Sequence, residues 1–133
     1  MESNQRKIRS YRDLVVWQKS VELVTAVYTA TSDFPRQEVF GLTSQLRRCA
    51  VSAPSNIAEG QGRATKGEFI QFLSHARGSL FELETQLCIA RKLGYLSPES
   101  SLILEKQAEE VARILNGLLT SLGAGVRKLS TIH

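Results

Sequence analysis

The chain has 133 residues, of which 42% are hydrophobic and 23% charged, and its formal net charge at pH 7 is +4. This length fits one domain that buries a single core. No stretch approaches the roughly 20 apolar residues of a membrane span, and the N-terminus lacks the apolar segment of a signal peptide. Cys49 and Cys88 show no CxxC or Cys/His spacing and are predicted to be buried free thiols. These features exclude an integral membrane protein and a disulfide-rich secreted domain, and they favour a cytoplasmic protein.

A basic N-terminal arm is predicted over residues 1–12, ahead of a single domain over residues 13–129. The arm contains one acidic residue, Glu2, and four basic residues, Arg6, Lys7, Arg9 and Arg12. A basic arm can bind phosphate groups, but the same composition also fits a flexible, solvated tail. Both interpretations stay open on the sequence alone.

The first predicted helix begins near Leu14. Ser10 followed by Asp13 resembles a capping box, and the Phe34-Pro35 pair predicts the end of the helix. Apolar residues at alternating spacings of three and four define its predicted core stripe: Leu14, Trp17, Val21, Val24 and Tyr28.

The second predicted helix keeps its phase through a proline. Its predicted core stripe is Val39, Leu42, Leu46, Cys49, Ala53 and Ile57. Pro54 costs a helix about 3 kcal/mol because it removes one backbone hydrogen bond and crowds the preceding turn, so we expect a tertiary reason for it. Gly60 is predicted to end this helix, because glycine adopts a positive φ without a Cβ clash.

Caps mark the third and fourth predicted helices. Thr65 and Glu68 form a second predicted capping box, Gly94 closes the third helix, and Ser97-Pro98 opens the fourth. The predicted core stripes are Leu73, Ala76, Leu80, Leu83, Leu87 and Ala90 in the third helix, and Leu104, Ala108, Val111, Leu115, Leu118 and Leu122 in the fourth. Short connections and the absence of a strand pattern predict an all-α fold, an antiparallel up-and-down four-helix bundle with long helices.

Two pairs of apolar residues lie off the predicted core stripes. Val16 and Leu23 are one heptad apart on the first helix, and Phe81 and Cys88 are one heptad apart on the third. Each pair fits either a widened core stripe or a subunit interface.

Catalytic and metal-binding patterns are absent from the sequence. The histidines are His75 and His133, so the paired ExxH ligands of a di-iron carboxylate bundle cannot be assembled. Gly60-Gln-Gly62 lacks the preceding strand and the Gly-Lys-Ser/Thr of a phosphate loop. Glu82 and Glu84 lie on different faces of a helix, which does not suit paired acid/base catalysis. No catalytic residue, metal site or cofactor is therefore predicted.

Three polar residues are assigned structural roles. Asn56 is expected to donate hydrogen bonds to backbone carbonyls near the Pro54 break. Glu59 lies in the last helical turn, where the helix dipole disfavours a carboxylate, so Arg63 is expected to compensate it. Glu82 is expected to be solvated or ion-paired, with an inter-subunit contact as the alternative.

Besides the four of the arm, five basic residues are candidates for binding nucleic acid: Arg47, Arg48, Arg63, Lys66 and Arg77. In a monomer they would be scattered surface charges. A ring-like oligomer would repeat them around an axis and produce a stronger field.

Several ordered motifs carry a family resemblance. They are Asp13-Leu14-Val15-Val16-Trp17-Gln18, Phe34-Pro35, Gly41-Leu42-Thr43-Ser44-Gln45-Leu46-Arg47-Arg48, Ser52 to Gly60, and Gly78-Ser79-Leu80-Phe81-Glu82-Leu83-Glu84-Thr85-Gln86-Leu87. Over most of residues 11–122 the chain resembles the bacterial four-helix bundle proteins of the 23S rRNA intervening-sequence family.

The resemblance implies an up-and-down bundle, commonly a homopentamer. It also implies kinship with the accessory variability protein of diversity-generating retroelements, which binds nucleic acid and its reverse transcriptase. The resemblance supplies no catalytic residue. It marks the following motif positions as structural or interface residues: Ser52, Pro54, Asn56, Glu59, Gly60 and Glu82.

The leading hypothesis is a non-enzymatic homo-oligomer, expected to be a pentamer, that binds RNA or DNA without strong sequence specificity. The chain has no base-reading motif, so phosphate contacts would dominate binding. The alternative is a protein-interaction scaffold that docks a partner such as a polymerase on its helical surface. Neither hypothesis involves a membrane or a cofactor.

Overall fold

The structure, a computed structural model, describes residues 9–124. Its four α-helices are α1 (Val15–Thr31), α2 (Leu42–Gln61), α3 (Lys66–Lys92) and α4 (Pro98–Ser121). Short 3-10 helices, Tyr11–Asp13 and Arg36–Glu38, precede α1 and α2. No β-strand occurs within residues 9–124, and the helices pack against one another as a bundle, which confirms the predicted all-α fold.

The helices are arranged around the bundle in the order α1, α2, α3, α4, and α4 closes it by packing on α1. Contacts between α2 and α3 show an antiparallel register: Gln45 near the start of α2 meets Gln86 near the end of α3, and Ser52 meets Ser79. On the closing side, Lys19 of α1 forms an ion pair with Glu110 of α4, with Nζ and Oε2 3.5 Å apart.

The core stripe predicted for α3 is confirmed in full, because all six of its residues are buried. In α4 the buried residues are Leu104, Ala108, Val111, Leu115 and Leu119. Leu118 and Leu122, which were predicted for this stripe, are partly buried against the core. At the end of α4 the buried residue is therefore Leu119, one position after the predicted Leu118.

The core stripe predicted for α1 is wrong in phase. The buried residues are Val16, Ser20, Leu23, Val27 and Thr31. Tyr28, which was predicted to be core, is 42% exposed, whereas Val16 and Leu23 are 2% and 1% exposed. Apolar residues occupy two neighbouring stripes of this helix, so periodicity alone does not choose between them. The hydroxyls of Ser20 and Thr31 are tolerated in the core because they donate hydrogen bonds to backbone carbonyls of their own helix.

Most helix ends match the predicted capping residues. Ser10 and Asp13 form a capping box, although it encloses the 3-10 turn immediately before α1. The side chain of Thr65 accepts a hydrogen bond from the Glu68 amide, and Ser97 caps α4 in the same way. Gly94 has a φ of +81°, so it ends α3 as expected.

Two positions of the second helix differ from prediction. Val39 lies before α2 and is exposed, because α2 begins only at Leu42. Gly60 is not a cap: it is buried inside α2, and Gly62 occupies the cap position. A Cβ on Gly60 would lie 2.7 Å from the Cβ of Phe72 on α3. Glycine is required there because α2 and α3 approach closely, not because the backbone needs a positive φ.

Replacing Gly60 by alanine is expected to lower the free energy of unfolding by about 1–3 kcal/mol, since the new methyl group would force α2 and α3 apart. Gly78→Ala is the matched control. Gly78 lies inside α3 with open space around its Cα, so alanine there is expected to raise stability by about 0.5–1 kcal/mol. Urea unfolding of both variants measures the difference. Equal stability of the two would contradict the close-approach role.

Candidate nucleic-acid interface

Four of the predicted basic residues lie at one end of the bundle. Because neighbouring helices are antiparallel, the start of α1, the end of α2 and the start of α3 meet at this end. Arg9 and Arg12 precede α1, and the 3-10 turn that contains Arg12 packs against α2. Arg63 and Lys66 lie in and after the connection from α2 to α3. We call Arg9, Arg12, Arg63 and Lys66 the basic end.

Two arginines of the basic end stack on aromatic rings. The guanidinium carbon of Arg12 lies 5.4 Å from the ring centre of Tyr11 and 5.8 Å from that of Trp17. The guanidinium carbon of Arg63 lies 4.7 Å from the ring centre of Phe72. Stacking orients a guanidinium through its face and leaves edge N–H donors available for an anion.

The predicted compensation of Glu59 is confirmed. Nη2 of Arg63 donates a hydrogen bond to Oε2 of Glu59 at 3.1 Å. Both side chains are largely exposed, so this ion pair contributes little to stability. Lys66 and Arg9 are exposed. Arg6 and Lys7 of the predicted arm lie outside the described residues.

The other basic candidates lie elsewhere on the bundle, and two of them bind their own chain. Arg47 donates hydrogen bonds from Nε to Thr31 Oγ1 (2.9 Å) and from Nη2 to the Tyr28 carbonyl (3.3 Å), and it stacks on the Tyr28 ring. Arg77 donates a hydrogen bond to Asn116 Oδ1 of α4 at 3.2 Å. Arg47 therefore joins α1 to α2, and Arg77 joins α3 to α4. Arg48 is exposed on α2.

The motif from Ser52 to Gly60 forms the contact between α2 and α3. Pro54 lies inside α2 and is buried. Nδ2 of Asn56 donates to the Ser52 carbonyl (2.9 Å) and to Ser52 Oγ (3.0 Å), and Ser52 Oγ lies 2.7 Å from Ser79 Oγ on α3. The predicted structural hydrogen bond of Asn56 is thus confirmed. Its backbone acceptor is the Ser52 carbonyl. The carbonyl that loses its helical donor because Pro54 has no N–H is a different one, that of Ala50.

A polar groove of about 320 Å³ runs beside this contact and is lined by Gln45, Arg48, Cys49, Ser52, Ser79 and Glu82. Arg48 and Glu82 form no ion pair with any residue that the structure describes. Burial, followed by the nearby Glu82 carboxylate, raises the pKa of the Cys49 thiol to about 11. Cys49 is therefore a protonated thiol at neutral pH and a poor nucleophile. It is buried as predicted, whereas Cys88 is only half-buried.

Sequence reasoning missed a second groove, of about 490 Å³, on the outer side of α1 and α2. Its apolar lining residues are Tyr28, Val39 and Val51, and its charged lining residues are Arg47 and Arg48. The available signal was the surplus of apolar residues: Tyr28 and Val39 were both predicted to be core.

Two further kinds of site do not occur within residues 9–124. No cluster of three histidine, cysteine or acidic side chains is placed to hold a metal ion. No helix in this part of the chain is long and apolar enough to cross a membrane.

The sequence profile of the 23S rRNA-intervening sequence protein family matches residues 12–117, a span that includes α1, α2 and α3 and most of α4. The chain belongs to this family. The match includes both helices of the Ser52 to Gly60 contact, so the residues that bring α2 and α3 together lie within the family region.

A solved structure supports the same fold. It is the 1.70 Å crystal structure of a protein of unknown function from the S23 ribosomal protein family of Bacteroides thetaiotaomicron. The two chains are 23% identical and superpose with a TM-score of 0.72, over 79% of this chain and 98% of the other. At this identity the likeness establishes the fold alone. Comparison with proteins of curated function gives no match.

Asn56→Ala is expected to lower the free energy of unfolding by about 1–2 kcal/mol, because Ser52 Oγ and the Ser52 carbonyl lose a shared donor in a partly buried contact. Ser55→Ala is the control, since Ser55 is the exposed neighbour on the same helix. Its stability should stay within about 0.5 kcal/mol of the parent. Thermal and urea unfolding measure both, and a neutral Asn56→Ala would remove the structural role.

The buried Cys49 thiol predicts a loss of stability at high pH. An unfolded thiol ionises near its ordinary pKa of 9.0, whereas the folded one stays protonated up to about pH 11. The contribution of this thiol to the free energy of unfolding is therefore complete below pH 9. It declines by about 2 kcal/mol as the pH rises towards 11. Urea unfolding of the parent and of Cys49→Ala at several pH values isolates this change, since other groups titrate alike in both. A stability difference that does not vary with pH would contradict the assignment.

Proposed function

We propose that this protein is a non-enzymatic homo-oligomeric bundle that binds the phosphate backbone of RNA or DNA through its basic end. The observation that carries the proposal is the gathering of Arg9, Arg12, Arg63 and Lys66 from separate segments at one end of the bundle. In the sequence, Arg6 and Lys7 immediately precede this group. Stacked arginines and a lysine are suited to phosphate contacts, which supply affinity without sequence readout.

Self-association would make this modest charge effective. A net charge of +4 on one chain is a weak field, but several copies that present their basic ends together bind one nucleic acid with high effective concentration. Exposed large hydrophobic side chains support association, among them Phe40, which is 95% exposed. The family resemblance implies five copies, and the kinship that it implies with retroelement accessory proteins favours a nucleic-acid ligand.

The proposal includes no catalytic step. The described hydroxyl and thiol groups at the α2/α3 contact have structural partners, and the pKa of Cys49 is raised rather than lowered. The alternative role, docking of a partner protein, is supported by the groove on α1 and α2.

Removing two charges at the basic end, with Arg9→Gln and Lys66→Gln together, is expected to weaken binding of a fluorescent single-stranded RNA or duplex DNA about 10-fold or more at low salt. The slope of log affinity against log salt should fall by about 1 to 2 for each copy that contacts the nucleic acid, since each phosphate contact contributes nearly 1. Fluorescence anisotropy over a salt series measures both quantities.

The matched control removes two charges from the opposite end of the bundle. Arg91→Gln with Lys92→Gln at the end of α3 produces the same net charge, and it should change binding far less. Equal losses in the two double variants would show a general charge effect. The absence of salt-dependent binding by the parent at low ionic strength would refute the proposed ligand.

A further inference from the structure

The surplus positive charge of this chain is confined to three segments. The chain has 17 basic and 13 acidic side chains. Within residues 14–58 and 69–124, nine basic side chains are balanced by nine acidic ones. The whole formal charge of +4 therefore belongs to residues 1–13, 59–68 and 125–133.

The described part of the basic end has only a small surplus. Beside its four cations it contains three carboxylates, those of Asp13, Glu59 and Glu68. Asp13 accepts hydrogen bonds from two backbone amides of the cap before α1, and Glu59 accepts one from Arg63. Glu68 lies in the first turn of α3, where the positive end of the helix dipole stabilises a carboxylate. One positive charge is left over from this part of the chain.

The terminal segments contain the rest of the surplus. Residues 1–8 contain Arg6 and Lys7 against Glu2, whereas residues 125–133 contain Arg127 and Lys128 and no acidic side chain. The C-terminal segment therefore contributes half of the net charge of the chain. Neither of its cations was among the binding residues predicted from the sequence.

Contacts between α3 and α4 show where the C-terminal segment begins. Arg77 of α3 donates a hydrogen bond to Asn116 of α4, and the two helices are antiparallel. Ser121, the last residue of α4, comes five residues after Asn116, so it lies beside the second turn of α3, which begins at Lys66. The described chain continues from there to Ala124, in the direction of the basic end.

The contact between α1 and α4 gives the same location. Glu110 pairs with Lys19, four residues after the start of α1. From Glu110, α4 continues for eleven residues towards the start of α1. Since α1 has only four residues left in that direction, α4 ends beyond it, on the side where Arg12 lies.

Chain length restricts where Arg127 and Lys128 can lie. They follow Ala124 by three and four residues, and an extended residue spans at most about 3.6 Å, so their Cα atoms stay within about 14 Å of that of Ala124. Glu110 is the nearest carboxylate before the end of α4, about 17 Å back along the helix, and it already pairs with Lys19. The two cations are therefore held at the basic end.

We propose that Arg127 and Lys128 bind nucleic acid, and that the C-terminal segment and the basic end form one phosphate-binding surface. This inference rests on the binding proposed above and adds the residues that contribute half of the net charge. A polyanion is attracted to the end that holds the whole surplus, whereas the balanced remainder of the bundle attracts it far less. Each cation that neutralises a phosphate releases counterions, so both residues should contribute to the salt dependence of binding.

The six lysines of the chain test this proposal without any substitution. Three belong to the charged segments and three do not, and the two sets are Lys7, Lys66 and Lys128, and Lys19, Lys92 and Lys106. Acetylation of the parent, followed by mass spectrometry, measures the reaction rate of each lysine with and without a saturating single-stranded RNA. Phosphate contacts should slow acetylation of Lys66 and Lys128 about 5-fold or more and leave Lys92 and Lys106 unchanged.

Protection of Lys66 with full reactivity of Lys128 would overturn the inference and leave the proposed function standing. Equal protection of all six lysines would overturn it too, because the RNA would then show no preference for the charged end. If RNA binds and protects no lysine, both the basic end and the C-terminal segment are excluded as its site.

Substitution provides a second, independent measurement. Arg127→Gln with Lys128→Gln is expected to weaken RNA binding about 10-fold or more at low salt and to lower the salt slope by about 1 to 2 for each copy in contact. Arg91→Gln with Lys92→Gln at the opposite end of the bundle is the control of equal net charge. Fluorescence anisotropy over a salt series measures binding, and circular dichroism verifies folding.

The outcomes of this second experiment separate the inference from the proposed function. Equal binding by the C-terminal variant and its control overturns the role of Arg127 and Lys128. If Arg9→Gln with Lys66→Gln still weakens binding, the proposed function stands without them. A parent that shows no salt-dependent binding overturns the proposed function, and this inference with it.

Discussion

The close contact between α2 and α3 is the constraint on which the rest of the bundle depends. Gly60 leaves no space for a Cβ against Phe72, and the hydroxyls of Ser52 and Ser79 are 2.7 Å apart. Helix axes approach this closely only where facing side chains are small. Polar atoms in such a contact must be paired, and Asn56 supplies the donor that completes the chain of hydrogen bonds.

This contact also decides which surfaces remain for partners. The polar outer edges of α2 and α3 meet in a shallow groove, so the exposed apolar residues are found on the other sides of these helices. Phe81 is left facing outward beside α4, and Val51 faces outward beside α1. Of the candidate nucleic-acid-binding residues that the structure describes, Arg47 and Arg77 each bond a neighbouring helix, which leaves Arg48 and the basic end.

The spacing of apolar residues predicted the buried face of α3 completely and that of α1 wrongly. Both outcomes have one physical reason. The apolar residues of α3 fall mainly on one stripe, so the buried face follows from the spacing. In α1 two neighbouring stripes are apolar, and burial of Val16 and Leu23 in place of Tyr28 is decided by where α2 and α4 pack. The prediction for Gly60 was wrong for a similar reason. Glycine is favoured both at a helix cap and where two helices approach closely, and only the position of Phe72 distinguishes the two roles.

The sequence by itself determined the four helices, most of their caps, the buried Cys49 and the Glu59–Arg63 pair, because these depend on interactions within a few residues. The tertiary structure alone decided which cations share one end and which bind their own chain. It also decided that Arg48 lines a groove with Tyr28, Val39 and Val51, while Phe81 is exposed on α3. The reason is that a helix and its caps depend on residues that are close together in the sequence. The positions of side chains from different helices depend instead on packing between residues that are distant in the sequence.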